Sequence, residues 1–196
     1  MSSALYLASA SPRRAELLTQ LGLGFTVLSA DVPEVLGAHE SPKHYSQRVA
    51  LAKARAGFSQ LKASADRQSV AVVLGADTEV VLAGRVFGKP VDLADAAAML
   101  RSLSGRSHQV LSSVAVLTAG TEACILQTST VHFKALSEAE ISRYLEFGEA
   151  MGKAGAYAIQ GLAGAFVSHL EGSFTGVMGL PVFETAALLR RFGVKV

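Results

Sequence analysis

Apolar residues follow two rhythms along this chain. Leu5-Tyr6-Leu7 is a short run of strand formers, while Leu17, Leu18 and Leu21 recur on one helical face. Residues 4 to 22 therefore predict a strand, a tight turn and a helix, with Ser11 as N-cap, Pro12 as the first helical residue and Gly22 as the stop. Phe25 to Leu28 predicts a second strand. Ser41-Pro42 opens a helix over residues 41 to 60, with apolar positions that include Tyr45, Val49, Ala52 and Ala56. Arg48, Lys53 and Arg55 lie elsewhere around that helix, and two of the three are expected on a solvated face. Val70 to Ala76 is unbroken apolar sequence, the pattern of a strand buried on both faces, and it ends at Asp77-Thr78.

Further on, Glu79 to Leu82 and Arg85 to Phe87 predict a strand pair turning at Ala83-Gly84. Asp92 caps a helix from about Leu93 to Leu103 that closes near Gly105. His108 to Leu117 and Cys124 to Phe133 read as long antiparallel strands joined through Gly120. Ser137-Glu138-Ala139-Glu140 has the form of a capping box and starts a helix to about Phe147. Residues 148 to 164 are rich in glycine and alanine; Phe166 to Leu170 is a strand, and Pro181 to Arg191 the last helix. Helices and strands alternate around an inserted hairpin, which points to a mixed α/β sheet rather than a purely parallel one.

Composition narrows the class of protein. Half of the 196 residues are apolar and 17% are charged, and the chain fits one domain or two small lobes with a sizeable core. The 18 basic and 16 acidic residues leave a net charge of +2, and the basic ones are scattered singly. A nonspecific nucleic-acid binder would carry a basic run or face, so no nucleic-acid partner is expected. The single Cys124 can form no internal disulfide, which favours a reduced, cytoplasmic setting. The N-terminal stretch lacks the basic-then-apolar order of a signal peptide, and no uncharged apolar run reaches the length of a membrane span.

Candidate chemistry gathers at the ends of predicted elements. Ser9, Ser11, Arg13 and Arg14 surround the first helix N-terminus, where unpaired N–H groups and the helix dipole attract anions such as phosphate. Asp77 closes the most buried predicted strand, a position from which a carboxylate accepts a proton from water or holds a divalent cation. Lys89 precedes Pro90 and so starts from extended backbone; with Lys53 and Arg13 it supplies the cations that a triphosphate requires. Glu79 reads as a solvated strand residue and His108 as structural. Other templates fail. The chain has no Walker-type Gly-x-x-x-x-Gly-Lys-Ser/Thr loop, no Gly-x-Gly-x-x-Gly after a strand and no Gly-x-Ser-x-Gly, and its five histidines lack metal-ligand spacing.

Taken together, these segments resemble the Maf family of nucleoside triphosphate pyrophosphatases over essentially the whole chain. Leu7-Ala8-Ser9-Ala10-Ser11-Pro12-Arg13-Arg14 resembles the family's Ser-x-Ser-x-x-Arg signature, and Ala52-Lys53-Ala54-Arg55-Ala56 its helix lysine motif. Gly75-Ala76-Asp77-Thr78 followed by Gly88-Lys89-Pro90 resembles its acid-and-lysine core, and Ser104-Gly105-Arg106-Ser107-His108 the turn into the next strand. The resemblance implies a single domain over residues 1–196, Maf/inosine triphosphatase-like: an elongated mixed sheet flanked by helices, with two lobes around a central cleft.

It also implies hydrolysis of a nucleoside triphosphate between the α and β phosphates, with a divalent metal cation, Mg2+ or Mn2+. Asp77 matches the family's proton acceptor. Ser9, Arg13, Lys53 and Lys89 match its phosphate-site residues, with the two lysines counted as catalytic beside Asp77, and Arg14 is expected to bind substrate with them. Glu34 and Asp77 are the implied metal ligands; whether Glu34 or Asp77 deprotonates the water stays open. Arg13, Thr78 and Gln160 fall at specificity positions. Lys153 to Gly161 resembles the branch acting on dTTP and UTP, and Gln160 offers both a donor and an acceptor to a pyrimidine edge. The alternatives are the branch that prefers 7-methyl-GTP, or a nucleotide-binding regulator of septum formation without turnover. A homodimer is implied by the resemblance alone.

Overall fold

The computed structural model describes residues 4–61 and 71–196, so the predicted start of the buried strand at Val70 lies outside them. A seven-stranded mixed sheet forms the centre. In chain order it is built from β1 (Ala4–Ala8), β2 (Thr26–Leu28), β3 (Ala71–Leu82), β4 (Arg85–Phe87), β5 (Ser107–Leu117), β6 (Glu122–Phe133) and β7 (Val167–Glu171). The spatial order is β2-β1-β3-β5-β6-β7, with β4 paired to β3. Strand β1 runs parallel to β2 and β3, and every other pairing is antiparallel. Parallel neighbours need a crossover. Helix α1 (Pro12–Gln20) connects β1 to β2, and α2 (Pro42–Gln60) lies between β2 and β3.

One difference from the sequence reading decides where the site lies. The buried run does not end at Asp77: β3 is a single strand of 12 residues with Asp77 in its interior. The polar Asp77-Thr78-Glu79 interrupts the apolar pattern, yet β5 pairs continuously from Val73↔Leu117 to Val81↔Gln109 and carries the strand through. On the other flank, β1 stops at Ala8↔Gly75 and β4 begins at Val80↔Phe87. Residues 76 to 79 therefore have a strand on one side and a notch on the other.

Helix α2 packs directly over β3. Its inner face is Tyr45, Ser46, Val49, Ala50, Lys53, Ala54 and Gly57, whereas Ala52 and Ala56, expected there, are only half-buried. Small residues permit the close approach, and Gly75 permits it from below. A Cβ at Gly75 would stand 2.4 Å from the Ala50 carbonyl oxygen and 2.6 Å from the Ala54 nitrogen.

Two large apolar clusters flank the notch. One joins the far half of the sheet to α3 (Leu93–Leu103) and α4 (Glu138–Glu146), through Leu100, Leu103, Val110, Phe133, Ile141 and Phe166. The other joins β1 and β3 to α1 and the last helix, α6 (Val182–Arg191), through Leu17, Leu18, Leu74, Leu188 and Leu189. Each such leucine stabilises by roughly 1.5–3 kcal/mol on burial. The capping box at Ser137 and Glu140 forms as predicted, and the Ala83-Gly84 turn has φ 50° and 80°, the type I′ hairpin geometry. A short helix, α5 (Phe174–Met178), follows β7 and was not predicted; Ser173 caps it, and Gly179 ends it at φ 130°.

Candidate active site

The notch beside β3 opens into a cavity of about 720 Å3, in the size range of small-molecule sites. Distant stretches converge on it: Ser9 to Arg14 from the start of α1, Glu34 from the loop before α2, and Lys53 from α2 itself. Asp77, Thr78 and Glu79 come from β3, and Lys89 from the loop after β4.

Lys53 is the hub. It lies on the buried face of α2, and its Nζ stands 2.9 Å from Asp77 Oδ1 and 2.6 Å from Glu34 Oε1. Lys89 Nζ approaches the other oxygen of the same glutamate, at 3.6 Å from Oε2. Burial alone would raise the Glu34 pKa. The hydrogen bond and charge of Lys53, with the charges of Lys89 and Arg14, outweigh it and hold the group below the usual carboxylate range. The Glu34 loop is itself anchored to α2: Arg48 donates from Nε and Nη2 to Glu40 at 2.7 and 2.8 Å and from Nη2 to the Val35 carbonyl at 3.0 Å.

Asp77 is 4% exposed, and its second oxygen, Oδ2, is buried without a hydrogen-bond partner of normal geometry among the described residues. Glu79 lies two residues along the strand, hence on the same face. It is buried and lines the cavity, not solvated as its pattern suggested. Burial pushes its pKa up to about 8; the charge of Asp77, a side-chain contact with that carboxylate and the Glu34 charge add to the rise against the pull of Lys53. Sequence reasoning missed this because an acid inside an alternating strand normally faces water.

The two arginines divide their work. Arg14 is buried and holds the turn together. It donates from Nε to the Gly179 carbonyl at 2.9 Å, from Nη1 to Ser9 Oγ at 3.1 Å and from Nη2 to Thr78 Oγ1 at 3.3 Å. Burial lowers its pKa, opposed by the charges of Asp77 and Glu34. Arg13 is half-buried and donates from Nε to the Met178 carbonyl at 3.2 Å, which leaves its remaining N–H groups free for an anion. Both guanidiniums thus rest on carbonyls at the C-terminal end of α5, the negative end of a helix. The Ser173 cap and Gly179 stop were legible signals for that element. Ser11 is the N-cap of α1 but makes no side-chain cap bond. The residue lines the cavity.

Gln160 does not join this group. Tyr157, Ala158 and Ile159 are buried, and the chain emerges at Gln160, which is exposed and does not line the cavity. The residues of that segment that do line it are Lys153, Ala154 and Tyr157. His108 is structural, as read: buried, it shares a 2.8 Å hydrogen bond through Nε2 with the Tyr157 hydroxyl.

Among the described residues no three His, Cys, Asp or Glu side chains gather as a cage for a metal. Mg2+ needs no such cage, because it takes one or two carboxylates and fills its remaining positions with water and ligand phosphates. The unpartnered Asp77 Oδ2, with Glu34 and Glu79 around the same cavity, fits that donor set.

With this geometry in place, the comparisons with known proteins agree with one another. The model of the Maf-like protein family matches residues 4–192. A dTTP/UTP pyrophosphatase of Xanthomonas oryzae pv. oryzae is 57% identical over 190 residues, covering 96% of this chain and 98% of the relative. A nucleoside triphosphate pyrophosphatase of Xylella fastidiosa is 53% identical over 190 residues, with the same coverage.

Proposed function

Because the chain belongs to the Maf-like family, we propose that it is a nucleoside triphosphate pyrophosphatase that hydrolyses dTTP and UTP to the monophosphate and pyrophosphate. The observation that carries the chemistry is the meeting of Asp77, Lys53, Glu34 and Lys89 in one cavity beside Arg13. The pyrimidine preference rests on the relatives of that name at 57% identity. Lys153 and Arg13 are donors in the cavity suited to pyrimidine carbonyls.

In this reading a water attacks the α-phosphorus, the bond to the bridging oxygen breaks, and pyrophosphate leaves. Asp77 Oδ2, which no lysine engages among the described residues, accepts the water's proton, while Oδ1 is fixed by Lys53. Glu34 suits that role less well, since each of its oxygens faces a lysine. Arg13, Lys53 and Lys89 offset charge building on the phosphoryl oxygens, and Ser9 and Thr78, both bonded to Arg14, set the position of the turn. Asp77 and Glu34, with Glu79 beside them, would hold Mg2+ or Mn2+, which when bound supplies further charge stabilisation to the phosphates.

The same reading takes the two apolar clusters as two lobes of one domain and the molecule as a cytoplasmic homodimer. No helix among the described residues is long and apolar enough to cross a membrane. Pyrophosphate release with dTTP, UTP, 7-methyl-GTP and ATP as substrates tests the proposal. Release from dTTP and UTP at rates well above the others is expected; release from 7-methyl-GTP alone, or from none despite binding, would overturn it.

A further inference from the structure

A second group of ligating side chains lies on β6 and β7, outside the cavity. His132 and His169 are directly paired across these antiparallel strands, and Ser107 on β5 is the register partner of His132 on its other side. The three side chains form one cross-strand row, and none lines the catalytic cavity. His132 is half-buried and His169 exposed.

The imidazole ring centres are 5.2 Å apart, with the planes inclined at 58°. That separation has a chemical meaning. A metal about 2.0–2.1 Å from a ring nitrogen sits roughly 3.2 Å from the ring centre, so a tetrahedral angle at the metal puts two ring centres about 5.2 Å apart. The outer contacts suit the same arrangement. His132 Nδ1 lies 2.7 Å from Ser107 Oγ. With Nδ1–H donating to that hydroxyl, Nε2 keeps its lone pair for a ligand bond. The backbone of the pair is held as well: the strands shift register between His132 and Phe133, and Ser168 Oγ donates to the His132 carbonyl at 3.1 Å.

We propose that His132 and His169 form a two-imidazole site for a divalent transition metal of the Zn2+, Ni2+ or Cu2+ class, with Ser107 Oγ holding the His132 ring in place. Among the described residues no third His, Cys, Asp or Glu completes the set, so water fills the other positions. Neutral imidazole prefers these borderline ions, whereas Mg2+ prefers oxygen. The site is therefore chemically separate from the carboxylates of the cavity, and its ligand differs from the metal proposed for catalysis.

Calorimetric titration of untagged, full-length protein with Zn2+ tests the assignment, in an Asp77→Asn background that weakens the cavity's own metal affinity. One Zn2+ site is expected there, at least tenfold weaker in His132→Ala and in His169→Ala. Ser107→Ala should weaken it too, since loss of an outer-shell partner typically costs 10–100-fold in metal affinity. Cu2+ paramagnetic resonance of the same protein should show coupling to two nitrogens. Pyrophosphate release with Mg2+ from single His132→Ala and His169→Ala variants controls for folding and should match the parent. Zn2+ affinity unchanged within twofold in both histidine variants, or a copper spectrum with no second nitrogen, would overturn the proposal and leave the rings an ordinary aromatic pair.

Discussion

Lys53 Nζ and Asp77 Oδ1 stand 2.9 Å apart, and both side chains are almost wholly buried. Removing one partner of a buried ion pair strands the other, at a cost of about 3–5 kcal/mol. Lys53→Met leaves Asp77, Glu34 and Glu79 without their shared ammonium and should fall in that range by urea denaturation. Asp77→Asn keeps an acceptor for Lys53 and should be milder. Both should lower pyrophosphate release roughly a hundredfold or more; wild-type turnover in Asp77→Asn would remove Asp77 from the chemistry.

Gly75 supplies the space in which the α2 backbone rests on β3. Gly75→Ala should lift the helix, costing about 1–3 kcal/mol or more through overpacking and carrying Lys53 away from Asp77. Turnover should drop alongside thermal stability, although no reacting group is altered. A variant as stable and active as the parent would show that the helix can shift without loss.

Arg14 makes three hydrogen bonds in fixed directions, to Ser9, Thr78 and Gly179. Lysine keeps the charge but cannot reach all three from one planar group. Arg14→Lys should therefore lose about 1–3 kcal/mol of stability, because buried partners are left unpaired. Its effect on turnover should come through misplacement of Ser9 and Thr78, measured as a rise in KM alongside a fall in kcat.

His108 should make stability depend on pH. Burial, with a smaller contribution from His132, lowers its pKa from 6.5 to about 4 in the fold. Between these values the unfolded chain binds the extra proton, so stability falls as pH drops from about 6.5 towards 4. The full loss is on the order of 3 kcal/mol. Urea melts of wild type and His108→Gln from pH 7.5 to 4.5 read this as a narrowing gap between them; parallel curves would count against it.

Chelation offers a separate check on the proposed cation. EDTA should abolish pyrophosphate release and added Mg2+ restore it, while Asp77→Asn stays roughly a hundredfold or more below the parent at any Mg2+ concentration. Full turnover of EDTA-treated protein would rule out a required metal.

The sequence was most informative where local chemistry settles the element. Ser137 and Glu140 cap α4, Ala83-Gly84 makes the hairpin, and Pro42 opens α2, all as the residues read. It was least informative where a partner strand overrides local polarity. Asp77, Thr78 and Glu79 look like a strand end, and only the pairing with β5 carries the strand through them. Lys53 reads from the sequence as one of the cleft cations, but its partners are not legible there: the carboxylates that neutralise it come from 19 and 24 positions away in sequence. Gln160 lies outside the cavity because the buried Tyr157 to Ile159 run turns it outward, which its polar character alone does not reveal.

Asp77 sits inside a strand braced by β1 before it and β4 after it, whereas Glu34, Lys89 and Lys153 sit on loops. The molecule thus keeps its reactive acid on a rigid rail and its charge-bearing periphery on exchangeable parts. Anyone seeking new substrate preferences by directed evolution should diversify the Lys153 loop first, keep Glu34 and Lys89 themselves, and leave the rail untouched.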